Sequence, residues 1–177
     1  MNPAWIVRTG RLLLTPVQWS DLPDLQAIKA DPGVFALMLG GVRTPFRTEE
    51  ELAADVQLWG ARGFGIWAVR PLGGGPFLGL TGFMVRPDGR GIALRFGFWS
   101  RHRGHGVARE AAGAALNFGH DRAEIERVIA VARNTNFSSR TVLGSIGMRE
   151  HAEFLQNGYQ MIEYESLRRW RGDPIAG

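Results

Sequence analysis

Cysteine is absent from this 177-residue chain, and lysine occurs once, at Lys29. The first absence excludes disulfides and thiolate catalysis and makes the cytoplasm the expected compartment. The second excludes a P-loop, whose G-x-x-x-x-G-K-[ST] pattern needs a lysine beside its last glycine. No apolar run approaches the ~18 residues of a membrane span, so no membrane partner is expected. The opening Met-Asn-Pro-Ala-Trp-Ile-Val-Arg lacks the basic start and long apolar stretch of a signal peptide. Long runs of like charge are missing too. The basic excess, 21 Lys and Arg against 17 Asp and Glu, is scattered arginine and suits an anionic cofactor better than nucleic acid. With 45% hydrophobic and 21% charged residues, the chain reads as one globular domain spanning 1–177, large enough to bury a core unaided.

The periodicity alternates between helix and strand. Arg11 to Val17 reads as a strand, and Ser20-Asp21 open a helix through Ala30. Asp31-Pro32-Gly33 is a break, followed by a short helical turn within 34–39. Thr48-x-x-Glu51 reads as a capping box for a helix carrying Leu52, Val56 and Trp59. Strands are expected over 64–70, 77–85 and 92–99, joined by turns at Gly73-Gly74-Gly75 and Pro87-Asp88-Gly89. A helix over 104–120, a strand over 128–132 and a helix over 138–146 follow, then a hairpin over 150–165 turning at Asn157-Gly158. The order is βααβββαβαββ. It predicts an α/β (α+β) fold with a mixed, mostly antiparallel central sheet and helices on both faces.

The segment Arg101-His-Arg-Gly-His-Gly-Val-Ala-Arg-Glu-Ala-Ala112 carries the most chemistry. A strand leads into a basic turn with glycines at 104 and 106, and a helix begins at once. Glycine lets the backbone turn tightly and lets a ligand approach without meeting a Cβ. The first N–H groups of the helix lack intrahelical partners and favour negative charge, so the turn reads as a diphosphate cradle. The dinucleotide fingerprint G-x-G-x-x-G fails because Arg109 stands in its third glycine slot. The pattern [QR]-x-x-G-x-[GA], matched by Arg101, Gly104 and Gly106, remains, with an ordinary glycine turn as the plainer alternative.

The wider setting resembles the GNAT N-acetyltransferases, and within them the branch that acetylates the N-termini of ribosomal proteins and related small amines. Three stretches carry the resemblance: Phe96 to Ala112; Asn136-Phe-Ser-Ser followed by a helix ending at Gly147-Met148; and the opening Thr9-Gly-Arg-Leu-Leu-Leu-Thr-Pro. The two main signatures lie about thirty residues apart, in the family's order. The resemblance implies acetyl-CoA as co-substrate, with no metal, transferred directly to a small-molecule amine or a protein N-terminal amine. It implies pantetheine contacts near Phe98, Trp99 and Ser100, and a diphosphate held around Arg101, Arg103, Gly104, His105, Gly106, Val107 and Ala108. Asn136 would bond the pantetheine amide, Ser139 would lie near the thioester sulfur as a general acid, and a backbone N–H near Phe98 would face the oxyanion. The acceptor pocket would be formed by 34–47 and the last hairpin. Homodimers are common in this family.

The chain departs from the family pattern twice. Arg95 occupies the slot where relatives often place a glutamate base, and arginine does not deprotonate in proteins. Leu143 stands where many relatives carry a tyrosine acid. Arg95 leaves three readings open: it binds a carboxylate-bearing acceptor; the base role has moved to another group; or the protein is a non-catalytic acyl-CoA-binding sensor of the same fold. Ser139 has a plainer reading as a helix cap, and His102 as a solvated loop residue.

Overall fold

The computed structural model describes residues 1–172. Its strands are β1 (Val7–Arg8), β2 (Leu12–Pro16), β3 (Ile66–Pro71), β4 (Gly79–Val85), β5 (Ile92–Phe98), β6 (Arg127–Arg133), β7 (Arg149–Gln156) and β8 (Tyr159–Leu167). Its α-helices are α1 (Leu22–Ala30), α2 (Pro32–Phe35), α3 (Pro45–Arg62), α4 (Val107–Asp121) and α5 (Phe137–Ser145). All eight strands form one sheet in the order β1-β2-β3-β4-β5-β6-β8-β7, antiparallel except at β5–β6. The chain order is therefore ββαααβββαβαββ, with two additions to βααβββαβαββ: a two-residue edge strand, and the short helical turn expected within 34–39, which lies at Pro32–Phe35.

Both additions have local causes. Residues 7–8 pair with Leu13 and Leu14 over too short a span to show a period. Asp31-Pro32-Gly33, expected as a break, restarts a helix. The Asp31 carboxylate accepts from the Gly33 amide, and Pro32 supplies the helical φ of a first-turn residue. The capping box expected at Thr48 is also displaced by one turn. Thr44 is the cap, its hydroxyl accepting from Arg47 N, because Pro45 starts the helix; Thr48 lies inside, its hydroxyl donating to Thr44 O.

The sheet is buried on both faces, which is why β3 reads as an unbroken apolar run. Ile66 and Ala68 face α1–α3, in a cluster with Leu25, Ile28, Phe35 and Leu52. Trp67 and Val69 face α4, in a cluster with Trp59, Phe83, Phe118 and Leu143. Here Trp67 meets Trp59 and Phe118 edge-on, with ring centroids 4.8 and 5.0 Å apart. Small residues at Ala111, Ala112 and Ala115 bring α4 close against the sheet. The last hairpin turns at Asn157-Gly158 with φ of 50° and 78°, the left-handed pair of a two-residue turn.

The break in the ladder decides where a ligand can enter. β5 and β6 are parallel and register at Ala93 and Ile129, whereas β5 pairs with β4 from Ile92 to Phe98. Beyond Ala93 the two parallel strands splay.

Candidate functional site

A cleft of about 710 Å³ opens at that splay. It is bounded by β5, β6, the start of α4, the start of α5, residues 32–41 and the turn of the last hairpin. Trp99 N donates to Leu78 O, so the two-residue period of the antiparallel ladder turns the amides of Phe96 and Phe98 toward β6. Those backbone groups face the gap rather than a neighbouring strand.

At one end lies the glycine turn. Gly104 and Gly106 take φ of 82° and 74°, values that L side chains avoid, and open space surrounds the Cβ position at Gly104. The first backbone bond into the helix runs from Glu110 N to Gly106 O, leaving the amides of Val107, Ala108 and Arg109 at an open helix end. The helix begins at Val107, three residues later than the sequence suggests, because the left-handed glycines hold the turn outside it. This geometry fits a diphosphate: bare amides, no Cβ in the way and the positive end of a 15-residue helix.

Of the residues named from the sequence, Arg95, Phe98, Arg103, Gly104, Gly106, Val107, Ala108, Asn136 and Ser139 line this cleft together. Trp99, Ser100, Arg101 and His105 do not. Trp99 packs against the cluster beneath α1–α3, and Arg101 lies over its ring, 5.0 Å from the centroid. Ser100 and Arg101 belong to a 3₁₀ turn, Ser100–His102. The Arg103 guanidinium donates to Gly33 O at 2.6 Å, tying the turn to α2. His105 contributes its carbonyl, which accepts from Arg11 Nη1 at 2.8 Å.

His102 is not the solvated residue expected. It lines the cleft, and its buried Nε2 has no partner among the described residues. Burial lowers its pKa, helped by Arg101 and His105, so the ring is held neutral. Asn136, not Ser139, caps α5: its side-chain oxygen accepts from the Ser139 amide at 3.3 Å. The Ser139 hydroxyl has no hydrogen bond among the described residues and lines the cleft. Leu143 lines it too, so no phenol stands at that point of α5.

Sequence reasoning missed the clip behind the glycine turn. Glu110 accepts from Thr9 Oγ1 at 2.6 Å, Arg11 N at 2.9 Å and Arg11 Nε at 2.7 Å. Burial alone would raise its pKa; the bonds from Thr9 and Arg11 outweigh that and lower it. Thr9 and Arg11 lie about a hundred residues earlier in the chain, so only the fold brings them to the loop.

At the other end, Arg95 projects from β5 toward the α1–α3 face, its guanidinium 5.7 Å from the Phe35 ring centroid. Nearby, Glu51 accepts from Lys29 Nζ and Arg43 Nε, both at 2.8 Å, and Arg47 lies 3.6 Å away. Burial would raise the Glu51 pKa, but Lys29 and Arg43 pull it down overall. Asp55, one turn further along α3, is pushed up to about 6 by burial despite Lys29 and Arg95. Arg86 also lines the cleft and is paired with Asp88 at 2.6 Å.

A single cleft at the splay between two parallel strands thus joins the open start of α4 to the side chains around Arg95. The acetyltransferase (GNAT) domain profile matches residues 11–149, and the chain belongs to that family. Its fold is similar to a GNAT-family acetyltransferase from Bacillus anthracis (22% identity, TM-score 0.78, covering 93% of this chain and 99% of that one). It is similar to an acetyltransferase from Agrobacterium tumefaciens (22%, 0.80, 91% and 93%). It also resembles a ribosomal L7/L12 α-N-protein acetyltransferase in complex with coenzyme A (15%, 0.75, 92% and 97%). Among the described residues, no helix is long and apolar enough to cross a membrane.

Proposed function

We propose that this protein is an N-acetyltransferase moving an acetyl group from acetyl-CoA directly to a primary amine, in the branch resembling the ribosomal-protein N-acetyltransferases. One observation carries the reading: a single cleft unites the bare amides at the start of α4, the gap-facing amides of Phe96 and Phe98, and a second pocket beyond them. Acetyl-CoA supplies the activated acyl group. Val107, Ala108 and the two glycines hold its diphosphate, and Asn136 holds the pantetheine arm. The Phe98 N–H faces the carbonyl oxygen, a role worth roughly 3–4 kcal/mol in other acyl transfers. The acceptor nitrogen gains the acyl carbon and loses one proton; the C–S bond breaks and the sulfur takes one up. The Ser139 hydroxyl, uncommitted among the described residues, passes a proton to the sulfur and regains one from water, while the proton lost by the amine goes to water.

Among the described residues no Asp or Glu lines the cleft, so none of them offers a carboxylate to deprotonate the acceptor. The same absence supports the alternative, a non-catalytic acyl-CoA-binding protein of this fold. Calorimetry with acetyl-CoA, followed by thiol release on adding amines, separates the two. Micromolar binding that is lost in Gly104→Pro, with turnover, supports the transferase, because proline cannot adopt a φ of 82°. Binding without turnover on any amine supports the alternative, and no binding to the folded protein overturns both.

A further inference from the structure

The cleft lining is one-sided in charge. Arg86, Arg95, Arg103, Arg109 and Arg133 line it, and among the described residues no aspartate or glutamate does. Arg103 and Arg109 stand at the start of α4, where an anionic cofactor accounts for them. Arg86 is neutralised by Asp88. Among the buried and half-buried arginines of the described residues, only the side chains of Arg95 and Arg133 have neither an ion pair nor a hydrogen bond, and both line the cleft. Arg133 rests on the Tyr159 ring at 3.6 Å. Arg95 presents five N–H donors with no acceptor, beside a Glu51 already committed to Lys29 and Arg43 and an Asp55 that lies beyond ion-pair distance. The Arg95 guanidinium lies over the Phe35 ring, and the same cleft is lined by the apolar Val34, Leu37, Met38, Leu39 and Met84.

We infer that the acceptor is an amine carrying a carboxylate on an apolar frame, such as an apolar α-amino acid, and that Arg95 is the residue that pairs with that carboxylate. The inference rests on the transferase reading and names its substrate class. A half-buried guanidinium without a counter-ion is costly, and a planar carboxylate from the ligand is its geometric match. The same charge excludes polycationic acceptors.

The test is a thiol-release assay with L-leucine, L-methionine and L-phenylalanine, each beside its carboxamide, and with spermidine. The chain has no cysteine to react with the thiol reagent, so released CoA is read without background. The expected result is a preference of about ten- to hundredfold in kcat/KM for the acid over its amide, the worth of a charged hydrogen-bonded pair. Arg95→Gln should abolish that preference by raising KM for the acids while leaving acetyl-CoA affinity and KM for the amides as they were. Arg95→Lys should restore part of it. Equal use of acid and amide by the wild type, preference for spermidine, or equal losses on acid and amide in Arg95→Gln would each overturn the inference. So would acetyl-CoA binding with no turnover of any of these amines, although the cofactor site would stand. Failure to bind acetyl-CoA would instead sink the transferase reading.

Discussion

Replacing Glu110 with alanine should loosen the glycine turn without touching a residue that lines the main cleft. The carboxylate accepts three bonds, from Thr9 Oγ1, Arg11 N and Arg11 Nε, and Arg11 in turn bonds the His105 carbonyl. The Arg11 side chain is 54% exposed, so solvent screens its ion pair to less than about 1 kcal/mol. The Thr9 and Arg11 N bonds contribute roughly 1 kcal/mol each. The sum is a loss of about 2–3 kcal/mol, or roughly 5–10 °C in Tm for a chain of this size. Glu110→Gln keeps the shape and one acceptor oxygen, and should lose about half as much. Urea unfolding measures both, and calorimetry should show weaker acetyl-CoA binding in the alanine variant because the loop is no longer held. The sign of the pH dependence follows from the lowered pKa. The Glu110 contribution is present above its ordinary 4.5 and is lost as pH falls through its folded value, so wild type and Glu110→Ala should converge in acid. Stabilities within about 0.5 kcal/mol of wild type at pH 7 for both variants would refute the clip.

Two further substitutions test the core and the buried charge cluster. A Cβ at Gly119 on α4 would stand 2.4 Å from Phe83 Cζ, on a ring enclosed by Phe64 and Trp67. Overpacking of about 1–3 kcal/mol should exceed the helix-propensity gain of roughly 1 kcal/mol, so Gly119→Ala should lower Tm; an unchanged or higher Tm would show that the ring yields. Asp55 has a folded pKa of about 6 against an ordinary 3.8, so its own contribution to stability falls as pH rises from about 4 to 6 and is constant above. Asp55→Asn should lack that loss and be more stable at pH 8 by about 1–3 kcal/mol, with the difference vanishing near pH 4. Urea unfolding at pH 4, 6 and 8 checks it.

The outline of the fold was legible because its signals are local. A sheet covered on both faces writes continuous apolar strands such as Ile66–Val69, and the glycine turn announces itself through Gly104 and Gly106 at a strand–helix junction. Where two local signals competed, the reading slipped. Thr48-x-x-Glu51 has the capping-box spacing, but Pro45 starts the helix a turn earlier and Thr44 caps it; Asp31-Pro32 can end one helix or start another. At the site, Trp99 packs into the cluster beneath α1–α3 and Ser100 and Arg101 lie in a 3₁₀ turn, so residues next to the motif in sequence do not all line the cleft.

Sequence alone determined the absence of cysteine chemistry, the place of the glycine turn and the arginine at position 95, because each depends only on which residues are present and in what local order. Tertiary structure decided which charges are neutralised. Glu110 meets Thr9 and Arg11, Glu51 meets Lys29 and Arg43, and Arg95 is left facing the cleft without a counter-ion. Coulomb energy depends on distance and burial, and folding sets both between residues far apart in the chain.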